Sequence, residues 1–113
     1  MDLQTIIDHI DLTLLTEEKD FSHIPIYSAY MSDLLSCVMT GAKPQSVWVT
    51  LIANINIVAV ASLLEISAII ITENAQPNQE TIDRANKEGI VLFSTDAYNY
   101  GVAGHPWGLG VKD

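Results

Sequence analysis

Short apolar runs alternate with helical periodicity along the second half of the chain. Residues 46–51, 68–72 and 90–94 are rich in β-branched and aromatic side chains, which favours strands. Residues 54–65 are apolar on nearly every helical face, as in a buried helix, whereas residues 79–88 are amphipathic. This alternation with short connections predicts an α/β fold, a parallel sheet and right-handed crossovers.

The first 45 residues give weaker signals. Residues 3–10 carry Leu and Ile at helical spacing, and residues 12–15 and 24–30 favour extended chain. Ser32 is a good N-cap residue, Asp33 suits the first turn that would follow, and Gly41 is placed as a C-terminal cap. We therefore expect a short helix between Ser32 and Gly41, and N-terminal strands that extend the sheet.

The last segment is rich in glycine. Thr95 or Asp96 can cap a helical turn that ends near Val102, and residues 101–110 then predict a flexible terminus. Trp107 is either packed against the core or an anchor for a partner, and packing is the more common outcome.

Composition narrows the class of protein. The chain has 113 residues, 49% of them hydrophobic, which predicts a single domain, residues 1–113, with one substantial core. The formal charge of −9 and the lack of a basic stripe argue against a nucleic-acid partner and against an anionic membrane surface.

Membrane insertion and export are also disfavoured. Residues 51–71 approach a spanning length, but Glu65 and several polar residues interrupt them, so a buried helix and strand explain the segment better. The first residues lack a basic region followed by an apolar run, and a single cysteine cannot form an internal disulfide. Cytoplasmic residence is the expectation.

Catalytic and metal-binding patterns are missing from the sequence. His9, His23 and His105 lack the spacing of metal ligands, and phosphate-binding glycine motifs are absent. Cys37 lies among apolar residues and predicts a small core side chain, without an assignable base. We expect no catalytic residue, no metal and no cofactor.

Polar residues do gather where the predicted parallel strands end, and ligands of open α/β sheets bind at that edge. These small hydroxyls and amides could hold an anion near helix N-termini, or could serve only as caps and turn formers. The candidate ligand-binding residues are Thr50, Asn54, Asn56, Thr72 and Thr95.

Several segments, in order, resemble the DRTGG domain family. Residues 30–39 (YMSDLLSCVM) are similar to its "GYVSDLLSxVM" segment, and residues 47–50 with 56–62 are similar to "WxT…NxVAVAS". Residues 68–72, 88–95 and 102–104 also follow the family's order. The DRTGG motif itself is not spelled near residues 20–28, and Ile52 and Asn54 replace the usual Gln and His.

The resemblance implies a three-layer α/β/α domain with a mostly parallel sheet, like the N-terminal domain of HPr kinase, without that enzyme's separate P-loop domain. Such domains accompany catalytic or sensor modules and tend to form dimers. The expected function is a non-catalytic regulatory or ligand-sensing module that binds a small anionic or nucleotide-like ligand, a partner protein, or both, as a homodimer. Two alternatives stay open: an accessory subunit of a partner enzyme in phosphoryl or acyl transfer, and a purely structural dimerisation domain.

Overall fold

The computed structural model describes residues 1–112 and contains one five-stranded sheet. Its order is β1-β5-β4-β3-β2; β2 to β5 are parallel and β1 pairs antiparallel with β5. The strands are β1 (Thr13–Leu14), β2 (Ser28–Met31), β3 (Ser46–Thr50), β4 (Ala68–Ile71) and β5 (Val91–Ser94). The helices are α1 (Leu3–His9), α2 (Leu35–Gly41), α3 (Asn56–Leu64), α4 (Gln79–Glu88) and α5 (Asn99–Gly108), with a 3₁₀ turn at Phe21–His23.

Helices cover both faces of the sheet. On one face, α2, α3 and α4 pack on Trp48, Ile69 and Leu92. On the other, α1 and α5 pack on the alternate strand residues, among them Ile70 and Phe93. Because both faces are covered, every residue of β3, β4 and β5 is buried, which accounts for their nearly continuous apolar runs. The predicted three-layer α/β/α architecture is confirmed.

The best predicted element is α4, which has the expected bounds. Asn78 caps it by accepting a hydrogen bond from the Thr81 backbone N–H at 2.9 Å, and Gly89 ends it with a φ of 73°. Capping chemistry and an amphipathic pattern agree over these ten residues, so the local and tertiary preferences coincide.

Two helical expectations need correction. The helix expected after Ser32 begins only at Leu35; Ser32 Oγ accepts from the Leu34 N–H at 3.1 Å, and no side chain caps α2. Helix α3 is not buried on nearly every side, because Ala59 and Leu63 are exposed while Val58 and Ala61 face the core.

The largest correction concerns the glycine-rich segment, which is helix α5 and not a flexible tail. Val102 and Pro106 are buried, and Val102 belongs to the core beneath the helix, so tertiary packing overrides the low helix propensity of glycine and proline. The expectation that Trp107 packs inward is wrong: 55% of it is exposed. Cys37 is likewise exposed and is not a core side chain.

Between residues 1 and 112, no helix has the length and apolar character needed to cross a membrane.

Candidate functional site

The carboxyl ends of β4 and β5 form the crevice that this topology offers to a ligand. The chain leaves β4 toward α4 on one face of the sheet and leaves β5 toward α5 on the other. Adjacent parallel strands whose connections diverge in this way are the usual position of binding sites in open α/β sheets. Thr72 and Thr95 follow these two strands directly.

Asp33 lies at the centre of a hydrogen-bond network at the carboxyl ends of β3 and β4. Its Oδ1 accepts from the Thr50 hydroxyl and from the Leu51 N–H, both at 2.8 Å. Its Oδ2 accepts from Asn99 Nδ2 at 3.2 Å, and Asn99 Oδ1 in turn accepts from the Thr72 hydroxyl. The network therefore joins the ends of β3 and β4 to the loop before α2 and to the first residue of α5.

The network uses two of the five residues predicted to bind a ligand. Thr50 and Thr72 are fully buried, and each donates its hydroxyl hydrogen within the protein. Their oxygens can still accept, and the Ile52 N–H already donates to Thr50 Oγ1 at 3.1 Å. Both side chains therefore order the strand ends, which is the structural role that the sequence left open beside ligand binding.

Thr95 lines a pocket of about 340 Å³ at the same edge of the sheet. Its Oγ1 accepts from the Ala97 N–H at 3.2 Å, and its carbonyl accepts from the Asn74 N–H at 3.0 Å. Glu73 and Asn74 both have φ values of 57°, in the left-handed region that few residues other than glycine adopt. The β4–α4 loop, the end of β5 and the β1 edge together line this pocket, through Asp11, Thr13, Leu15, Asn74, Gln76, Ser94, Thr95 and Asp96.

Polar groups and two carboxylates dominate this pocket. Asp11 and Asp96 contribute negative charge, and no lysine or arginine of residues 1–112 lines it. A bare anion would meet repulsion there, whereas hydroxyl and amide groups would find donors and acceptors in Thr95, Asn74 and Gln76.

The structure places Asn54 and Asn56 at the start of α3, where both are exposed. Asn54 Oδ1 accepts from the Asn56 N–H at 3.0 Å, so Asn54 has the turn-forming role that was the alternative to ligand binding. Asn56 lines a separate groove of about 430 Å³ between α3 and α4, together with Leu63, Arg84 and Glu88. Thus Thr50 and Thr72 are connected through the hydrogen bonds of Asp33 and Asn99, Thr95 lies in the pocket at the ends of β4 and β5, and Asn56 belongs to another surface.

Asp20, Ser22 and His23 form a second polar cluster, at the 3₁₀ turn. The Ser22 hydroxyl donates to Asp20 Oδ1 at 2.5 Å, and His23 Nδ1 lies 2.5 Å from Asp20 Oδ2. The hydrogen bond from Ser22, and then that from His23, lower the pKa of Asp20 below its usual 3.8. The Ser22 hydroxyl bonds to the carboxylate and not to the His23 imidazole, so Ser22 and His23 do not form a nucleophile–base pair. Within the described residues, no group of three His, Cys, Asp or Glu side chains is placed to hold a metal ion.

Sequence reasoning missed Asp33 and Asn99 as members of the site. The sequence indicates only a first-turn position in a helix for Asp33, and it places Asn99 inside a short helical segment ending near Val102 without assigning it a partner. The one available signal was the position of Asp33 just after β2, since the neighbouring strand β3 ends in Thr50.

Comparison with known proteins supports the fold. Neither a protein-family model nor a curated protein matches the chain. A solved structure of the CBS and DRTGG domains from the regulatory region of Clostridium perfringens pyrophosphatase, complexed with its activator diadenosine tetraphosphate, superposes with a TM-score of 0.73 at 16% identity. The match covers 91% of this chain and 44% of the solved chain, so this chain spans less than half the length of that regulatory region. The α/β fold is therefore shared with that regulatory region.

Proposed function

We propose that this chain is a non-catalytic regulatory module that senses a small ligand in the edge pocket, the cavity lined by Thr95, Asn74, Gln76 and Asp96. The observation that carries the proposal is the position of this polar pocket where the connections of β4 and β5 diverge. The likeness in fold to a regulatory region that binds a dinucleotide activator supports the choice of function class.

The chemistry of the edge pocket narrows the ligand. Hydroxyl and amide side chains match the ribose and base of a nucleotide, while Asp11 and Asp96 disfavour phosphate groups inside the pocket. The expected ligand is therefore nucleotide-like, with its sugar or base in the pocket and its phosphates in solvent. Inorganic phosphate alone should not bind.

Native mass spectrometry with nucleotides, sugar nucleotides, acyl phosphates and inorganic phosphate tests this proposal. A specific adduct should form with a nucleotide or sugar nucleotide and should be lost in Gln76→Ala. Gln79→Ala is the matched control, because Gln79 lies on α4 and bonds only to the exposed Asp83, at 2.8 Å. Loss of the adduct in Asn56→Ala instead would place the ligand between α3 and α4, and the absence of any adduct would reject ligand sensing.

A structural dimerisation domain without a ligand is the second candidate. The absence of a ligand role for Thr50 and Thr72 is favoured by their internal hydrogen bonds, which commit the hydrogen of each hydroxyl to the fold. This candidate predicts that Thr72→Val lowers stability without changing any binding signal. An accessory role beside a partner enzyme would appear as a change in the partner's activity upon addition of this chain. We include homodimer formation in the proposal, because the DRTGG family that the sequence resembles tends to form dimers, and most soluble oligomers are homo-oligomers with closed symmetry.

A further inference from the structure

Helix α5 presents an aromatic surface to solvent, and the only charged group that the structure of residues 1–112 places against it is the Lys112 ammonium, 4.0 Å from the centre of the Trp107 ring. Tyr100 is 90% exposed and Trp107 is 55% exposed, while Val102 and Pro106 on the opposite side of the helix are buried. Tyr100, Gly101, Ala103, Gly104 and Trp107 line a shallow groove of about 510 Å³, which we name the α5 face. Exposed aromatic rings on a structured helix are a common mark of an interaction surface.

The α5 face has an internal symmetry. Tyr100 and Trp107 are seven residues apart, at the two ends of the groove, and the small residues Ala103 and Gly104 lie midway between them. When two such helices pair antiparallel about a twofold axis at this midpoint, each Tyr100 faces the Trp107 of the other copy. Small residues at the crossing allow the two helix axes to approach closely.

The charge distribution also favours a second copy of this chain as the partner of the α5 face. The chain carries −9, yet residues Asn99–Gly108 contain no Asp, Glu, Lys or Arg. Two copies repel each other over most of their acidic surfaces, and this repulsion is weakest where the approaching face holds no carboxylate.

We propose that the α5 face is the contact between two copies of this chain, with Ala103 and Gly104 next to the twofold axis. The inference rests on the homodimer included in the proposed function and names its interface. Two rings at these exposures and the backbone between them present on the order of 300–400 Å² for each copy. This is less than the roughly 800 Å² per partner of a stable interface, so the dimer is weak and reversible.

Gly104→Glu is the decisive variant, measured by sedimentation velocity over a wide concentration range. A Cβ at Gly104 meets no atom within 4 Å, so the substitution fits the monomer, and glutamate favours helix more than glycine does. Across the axis, however, two glutamates would repel. The wild type should associate as its concentration rises, and Gly104→Glu should raise the dimer Kd by at least about tenfold. Gly104→Ala is the control for helix propensity and should still associate.

Cysteine cross-linking locates the axis directly. In a Cys37→Ser background, Ala103→Cys should form a covalent dimer under mild oxidation, because residues next to a twofold axis bring their Cβ atoms close enough for a disulfide. Leu63→Cys, exposed on α3 beneath the opposite face of the sheet, should remain monomeric.

The outcomes separate the two proposals. A wild type that stays monomeric overturns both the homodimer and this interface, and leaves the ligand experiment unaffected. A dimer that survives Gly104→Glu and does not cross-link through Ala103→Cys overturns only the interface.

Discussion

The Asp33 carboxylate accepts a hydrogen bond from the buried Thr50 hydroxyl at 2.8 Å, although the two residues are seventeen positions apart in the chain. The same oxygen receives the Leu51 N–H, and the other oxygen receives Asn99. One side chain therefore fixes the end of β3, the approach to α2 and the start of α5 at the carboxyl edge of the sheet.

Replacing Asp33 should destabilise the fold. Asp33→Ala removes the acceptor of two 2.8 Å hydrogen bonds and leaves the buried Thr50 hydroxyl without its partner, so unfolding should become easier by about 1–3 kcal/mol. Asp33→Asn keeps an oxygen for Thr50 but sets its amide against the Asn99 amide, so a smaller loss of about 1 kcal/mol is expected.

Urea denaturation of these variants measures the difference, with Asp83→Ala as the control. Asp83 accepts one exposed hydrogen bond within α4, so its removal should change the free energy of unfolding by less than about 0.5 kcal/mol. Equal effects of Asp33→Ala and Asp83→Ala would show that the network does not contribute to stability.

Thr50 and Asn99 should be energetically coupled through Asp33. The two side chains bind opposite oxygens of one carboxylate, so the double variant Thr50→Val with Asn99→Ala should depart from additivity by about 0.5–1 kcal/mol. Thr81 is a matched control, since it is also fully buried but donates to Asn78, the N-cap residue of α4. Thr81→Val combined with Asn99→Ala should be additive, and a coupling of similar size in both cycles would contradict a shared network.

The sequence predicted the layered fold well because its signals there are local and mutually consistent. The run at residues 68–71 is apolar because a central strand is covered on both faces, and the caps of α4, Asn78 and Gly89, directly flank the helix. The α5 helix could not be predicted in this way. Its glycines and Pro106 oppose helix formation locally, and only the packing of Val102 and Pro106 beneath it favours the helix.

The candidate site was predicted only in part, since it depends on long-range partners. Thr50 and Thr72 were placed correctly at the strand ends by their position in the alternating pattern. Their partners, Asp33 and Asn99, lie 17 and 27 residues away along the chain, and no spacing rule links residues at such distances. Asn56, also expected near the crevice, instead borders a groove that forms only when α3 and α4 pack together.

Glu65 ends α3 in a left-handed conformation, with a φ of 58°. Glycine adopts this conformation without the penalty that a Cβ brings, so Glu65→Gly should stabilise the protein by about 0.5–1 kcal/mol. Glu80→Gly, the same substitution in the first turn of α4, should destabilise it by a similar amount, because glycine is a poor helix former and the acidic charge near the helix N-terminus is lost. Chemical denaturation of both variants checks the opposite signs; two changes of the same sign would refute the conformational argument.

Asp2 should make stability depend on pH in the acid range. Its Oδ1 accepts from the Thr5 N–H at 2.9 Å and from the Thr5 hydroxyl at 3.0 Å, and these bonds, the backbone bond first, lower the pKa of Asp2 below 3.8. Because the pKa of Asp2 is lower in the folded state than in the unfolded state, the stabilisation is complete at a pH above the unfolded-state pKa and disappears as the pH falls through the folded-state pKa.

Asp2→Asn keeps a capping oxygen but cannot titrate, so urea denaturation between neutral pH and pH 3 should show a shallower loss of stability in this variant than in the wild type. Asp8→Asn is the control, because Asp8 lies near the other end of α1 and is exposed. Parallel acid profiles for wild type and Asp2→Asn would exclude Asp2 as a source of the pH dependence.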